Sequence, residues 1–297
     1  MFLIHTLLSI ERRYKRVATA LIVTFTFAVI NGATVHPGVL QAACAAYTTH
    51  PSAYVGRSCF VRVEVGQDHA TAVSTCQGLS RAAGIDHGRL AHIAQKRPLM
   101  ERLAQKLPVP PGGVYPAWIS AKQVVGSVEP MGIWQLCFDA AQTDCIQLPG
   151  ELLPWATWRG STSPLEPDNG FGGQHVLYVN LAHPSQTEGL GDWDETATTI
   201  FALCEFEDTT PQAGYQLVAE GFKAPVSAQL PITVGPTSKF YCAEQCLAKK
   251  KQGCVSFAHH SNSNGCVLQY IMYTNYAAHD IVQPLVAAGW NWYEEMY

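Results

Sequence analysis

The sequence predicts an α+β fold in two disulfide-rich units. Three observations carry that prediction. Two early stretches repeat apolar residues at helical spacing, later stretches are short apolar runs of strand length, and the ten cysteines fall into two groups. Cys44, Cys59, Cys76, Cys137, Cys145 and Cys204 form the first group, and Cys242, Cys246, Cys254 and Cys266 the second. Between them Glu207-Asp208-Thr209-Thr210-Pro211-Gln212-Ala213-Gly214 has the polar, Pro- and Gly-containing composition of a linker. This places one unit over residues 44–207, a linker at 208–214 and a second unit over 215–297.

In the first unit Asp68 is a helix N-cap candidate, and Ala72, Val73, Cys76 and Leu79 share one face of the helix it would start. Leu99, Met100, Leu103, Ala104 and Leu107 predict a second helix. Val114–Ala121, containing Trp118, reads as a strand, and no clear period follows as far as about Leu165. His175–Asn180 and Thr199–Cys204 read as buried strands with acidic clusters at their mouths. Helices first, then a long irregular region, then strands: this order is α+β, with function expected on the loops. In the second unit Phe240–Lys250 has helical composition and sets Cys242 and Cys246 one turn apart on one face. Cys254–Phe257 and Cys266–Leu268 read as short strands, and Trp290, Trp292 and Tyr293 as anchors of a last strand. Lys249, Lys250 and Lys251 read as an exposed helix end.

The N-terminus reads as a targeting segment. Arg12, Arg13, Lys15 and Arg16 precede an uncharged stretch from Val17 to Ile30, followed by the small residues Gly32 and Ala33. The stretch falls short of the roughly 20 residues that span a bilayer, so residues 1–33 are expected to be a signal peptide, with an uncleaved anchor as the alternative. Export would make the cysteines a disulfide framework. A zinc site has no support, since no Cys-x-x-Cys pair occurs. The net charge of −4 is mild and no basic run suggests a nucleic-acid groove. His69, His87, His92, His175 and His183 form no nucleophile–base set with a Ser or Cys, so no catalysis is expected.

Carboxylates gathered on loops are hard oxygen donors, and hard oxygens hold calcium. Glu166-Pro167-Asp168-Asn169 and Asp192-Trp193-Asp194-Glu195 are such clusters. Together with Cys59-Phe60, Cys76, Gly88-Arg89-Leu90-Ala91, Trp118-Ile119, Trp158 and Leu203-Cys204-Glu205-Phe206, they make residues 44–207 resemble a C-type lectin-like domain of the long form. The resemblance implies bonds Cys44–Cys59 and Cys76–Cys204. It also implies a calcium and carbohydrate site of Glu166, Asp168, Gln174, Asp194 and Glu195, with Pro167 in the cis form. Glu166 matches the mannose-type triplet and Asp168 the galactose-type one, so the sugar class stays open, and Phe171 is a loop anchor or a sugar platform. The second core bond of that family would fall on Val176 and Thr198, and neither is Cys. Cys137 and Cys145, in the irregular region, are expected to pair with each other. Trp155, Trp158 and Trp193 are expected to be core or loop anchors.

Residues 215–297 resemble a PAN/apple domain through Cys242-x-x-x-Cys246, Cys254-Val255-Ser256-Phe257 and Cys266-Val267-Leu268. That resemblance implies pairs Cys242–Cys266 and Cys246–Cys254, and a protein or carbohydrate contact. Taken together, the sequence leads to the expectation of a secreted, calcium-dependent carbohydrate-binding protein that is not an enzyme, with glycan ligands, a protein partner through the second unit, and homo-oligomerisation open. The alternative is a calcium-independent protein-binding or adhesion module on the same scaffold.

Overall fold

A computed structural model describes residues 37–82, 88–109, 116–127, 132–137, 143, 145–157, 166, 175–181, 186–207, 214–231, 234–272 and 285–296. Residues 1–33, expected to be a signal peptide or anchor, lie outside them, and among the described residues no helix is long and apolar enough to cross a membrane. The architecture is α+β, mostly strands with few helices, and all ten cysteines are bonded. The bonds are Cys44–Cys59, Cys76–Cys204, Cys137–Cys145, Cys242–Cys266 and Cys246–Cys254.

Helix α1 (Pro37–Ala45) starts on a proline, whose fixed φ suits a first helical position. It buries Leu40 and Cys44, one turn apart, and Cys44 bonds to Cys59 on the next hairpin. That hairpin joins β1 (Ser52–Val55) to β2 (Ser58–Val63) through Gly56 and Arg57, both at positive φ (55° and 70°). Two consecutive positive φ values match the twist of the flanking strands. Helix α2 (His69–Ala82) is capped by Asp68, whose Oδ1 accepts from the Thr71 N–H at 2.7 Å. Ala72 and Cys76 are buried on its inner face, and Cys76 bonds to Cys204 in β9 (Phe201–Glu207). Helix α3 (Arg97–Lys106) buries Leu99, Met100 and Leu103, and β3 (Arg89–Leu90) precedes it as a short partner of β9.

The first sheet follows the order β1, β2, β9, β4 (Pro116–Gln123), β5 (Ile133–Cys137), β6 (Cys145–Pro149). β4 also pairs with β7 (Val176–Asn180), which pairs with β8 (Gly189–Trp193). β4 and β9 run parallel, Ala117 opposite Phe201; the other pairs are antiparallel. Neighbouring residues point to opposite faces, so Phe60 and Ile119 enter one core with α3 while Val61 and Trp118 enter another with α1 and α2. β2 is buried throughout because both faces are covered. β5 and β6 lie in the region the sequence leaves without a period, and Cys137 and Cys145 stand directly opposite each other there.

The second sheet has the order β10 (Tyr215–Lys223), β13 (Leu285–Glu295), β11 (Ser256–His260), β12 (Cys266–Gln269). Helix α4 (Lys239–Ala248) covers one face, capped by Ser238, whose hydroxyl accepts from the Tyr241 N–H at 3.2 Å. Cys242 and Cys246 are both fully buried and pin it through bonds to Cys266 and Cys254. Phe257, Leu268 and Tyr293 pack beneath it. Trp292 points the other way, and with Ala224, Ala228 and Ile271 it joins the core that holds α3 of the first unit. The lysine run differs from expectation: α4 ends at Ala248, and Lys250 makes an ion pair with Glu295 at 3.2 Å, its side chain 32% exposed.

Candidate functional site

The β7–β8 ladder sets the geometry around the expected acidic ligands. Val176 stands opposite Trp193 and Tyr178 opposite Gly191, so Tyr178 and Trp193 project from the same face. Their rings meet edge to face, with centroids 6.2 Å apart. The Tyr178 ring lies across Gly191, where a Cβ would come within 2.2 Å of the ring Cζ. A side chain at 191 therefore has no room while Tyr178 holds this position. Laid flat there, Tyr178 donates its hydroxyl hydrogen to Oε1 of Glu166 at 3.1 Å. Both residues are 8% exposed, so the Glu166 carboxyl is held by a mostly buried donor.

The chain leaves β8 at Trp193 and exposes Asp194 and Glu195. Oδ1 of Asp194 accepts from both the N–H and the hydroxyl of Thr196, each at 2.8 Å, a local turn that short acids favour. The Thr196 N–H, then its hydroxyl, hold the Asp194 carboxyl below the ordinary aspartate range. Glu195 is placed by its main chain: its carbonyl accepts from the His69 N–H at 3.0 Å, which ties the turn to the start of α2. His69 packs edge-on against Trp118 with centroids 5.7 Å apart, and burial pulls its pKa below the ordinary histidine value. Trp118 in turn donates its indole N–H to the Gln67 carbonyl at 2.7 Å. On the other side, the His175 N–H donates to the Trp193 carbonyl at 3.1 Å, and the Gln123 N–H to the His175 carbonyl at 2.7 Å. The turn that carries Asp194 and Glu195 is thus fastened to α2 and, through Trp193 and His175, to β4.

Asp192, in the same acidic run, faces the other way. It stands opposite Leu177 and is 0% exposed, on the side of the α3 core, whereas Asp194 lies past the end of β8, in a turn where the strand's alternation no longer applies. Asp168, Gln174, Phe171 and Trp158 lie outside the described residues. Among the described residues no three His, Cys, Asp or Glu side chains gather as a metal site, so Glu166, Asp194 and Glu195 do not form one by themselves. The donor chemistry of the five expected ligands, all side-chain oxygens, suits a hard cation such as calcium. Trp155 is buried against Trp134, as a core anchor, and Trp193 is half-buried. Composition alone did not point to Tyr178 or Thr196. Thr196 had a readable signal, an Asp followed two residues later by Thr; Tyr178 had none without the strand register.

Residues 223–277 match the PAN domain family, and a PAN domain is therefore present in the second unit. No curated protein matches the chain.

Proposed function

We propose that residues 44–207 form a C-type lectin-like domain and that the chain is a secreted, calcium-dependent carbohydrate-binding protein whose PAN domain adds a second contact. The carrying observation is the turn after β8. It presents Asp194 and Glu195 to solvent, fastens them through main-chain bonds to α2 and β4, and follows the strand whose partner β7 holds Glu166 through Tyr178. Asp194 is kept ionised by its own turn, which suits an acceptor for a metal or a sugar hydroxyl. Calcium would be held by Glu166, Asp168, Gln174, Asp194 and Glu195, and when bound it supplies coordination positions that neighbouring sugar hydroxyls complete. Affinity for the ion should fall near that of extracellular modules, about 10⁻⁴ to 10⁻³ M. Binding to one sugar would be weak, so repeated sites on a surface or an oligomer would supply avidity.

Sugar retention with and without chelator tests the reading. Asp194→Ala should abolish calcium-dependent retention on a glycan array while the disulfide-bonded fold persists. Retention that survives either the substitution or the chelator sinks the site assignment. One observation favours the second reading, a protein-binding module that needs no calcium. Oδ1 of Asp194 is already engaged twice by Thr196. Calorimetry separates the two readings: calcium uptake followed by sugar heat supports the lectin, and the absence of both supports the module.

A further inference from the structure

We infer that the two units form one rigid, cooperatively folding body, joined by a non-covalent interface rather than tethered through a free linker. No disulfide crosses between them: three bonds close within residues 44–204 and two within 242–266. The hold is a shared core and a buried polar seam. Trp292, Ile271, Ala224 and Ala228 of the second unit belong to the same apolar core as Leu99 and Leu103 of α3. The side chain of Ile146 on β6 reaches Gly253, where a Cβ would come within 2.5 Å of its Cδ1. At the seam, Gln95 is fully buried and donates its Nε2 hydrogen to the Tyr270 carbonyl at 2.6 Å. Lys96 sits 3.9 Å from Glu295, and Lys250 reaches the same carboxylate at 3.2 Å. Lys96 and Glu295 have side chains only 5% and 8% exposed.

Relative motion is the default for domains in one chain unless their interface is large and apolar. Here, parting would uncover the inner face of the second sheet and would leave Gln95 and Lys96 without the groups they meet. Lys96 occupies the N-cap position of α3, its carbonyl accepting the first helical N–H groups, and Gln95 precedes it, so the polar seam stands on the start of a helix. The body is consequently stiff, and the turn carrying Asp194 is held at a fixed orientation to the outer face of α4.

The test cuts the linker in the folded, full-length protein. A protease site is placed within residues 208–213, the chain is cleaved, and the product is run on a sizing column without reductant. The fragments are expected to co-elute as one particle, and the uncut chain to melt in a single calorimetric transition. Fragments that elute apart, or two independent transitions in the uncut chain, overturn the inference. In the cleaved protein, Gln95→Ala and Lys96→Met should each weaken association roughly tenfold or more, with the sheet signal in circular dichroism retained. Association unchanged by both overturns the role given to the seam.

Discussion

Tyr178 decides where the Glu166 carboxylate sits, and it does so because Gly191 leaves space for its ring. Tyr178→Phe removes the donor and keeps the ring. A hydrogen bond to a charged group contributes about 1.5–3 kcal/mol to stability, so Tm should fall, and if the proposed site is right calcium-dependent binding should weaken by up to roughly 10- to 100-fold. Gly191→Ala should weaken binding in the same direction by pushing the ring off its seat. Titration calorimetry on both variants checks this, and unchanged affinity in both removes Glu166 from the site. At this scale the sequence could nominate Glu166, Asp194 and Glu195 by their chemistry and their place near strand ends. Only the resemblance set Asp194 apart from Asp192, and the structure gives the physical reason: Asp192 lies within β8 and points inward, while Asp194 lies past the strand's end and faces solvent. The sequence could not find Tyr178, whose role depends on which residue lies across the ladder.

Helices were the legible elements. α2, α3 and α4 each repeat apolar or cysteine residues every three to four positions, and Asp68 marks one start, whereas α1 and the Ser238 cap of α4 emerge only from the structure. Strands were harder to read. β8, Gly189-Leu190-Gly191-Asp192-Trp193, contains two glycines and carries no strand signal, yet one of them is needed for the Tyr178 ring to pass. The β1–β2 turn is Gly56-Arg57 rather than a pair rich in Asn or Asp, so its hairpin carried no local signal. The start of α2 makes a pH prediction. The Thr71 N–H, then its hydroxyl, hold the Asp68 carboxyl below the ordinary aspartate value of about 3.9. The cap's contribution is therefore fully present above that value, and it is lost as pH falls through the lower value of the folded state. Asp68→Asn keeps an oxygen acceptor without a charge, so melting curves between about pH 5 and pH 2 should be flatter in that variant. Parallel pH profiles for variant and parent would show that the cap is not the source.

The whole molecule is built as two separately cross-linked blocks around a shared core. The cysteine grouping made the blocks legible, and the polar stretch at 208–214 placed the boundary between them. The shared core was not legible, because Trp292 and Ile271 look like ordinary interior residues of either block until the sheet shows which way they face. Cys76–Cys204 closes 128 residues, the longest of the five loops. Replacing both cysteines by Ser should lower stability by about 2–5 kcal/mol, read from urea unfolding of the otherwise oxidised protein. A loss under about 1 kcal/mol would show that the loop's entropy is not what the bond restrains.

The order of synthesis meets that same loop. β2 pairs with β9, and β4 lies parallel to it, so these two pairings wait until residue 207 has been made, although β2 already has β1 beside it and β4 has β5 and β7. Cys76 is then exposed for the time it takes to make the chain as far as Cys204, with Cys44, Cys59, Cys137 and Cys145 all nearer in sequence. Wrong partners are thus available before the right one exists, and any such bond that forms must be reshuffled, which runs over seconds to hours unless an isomerase accelerates it.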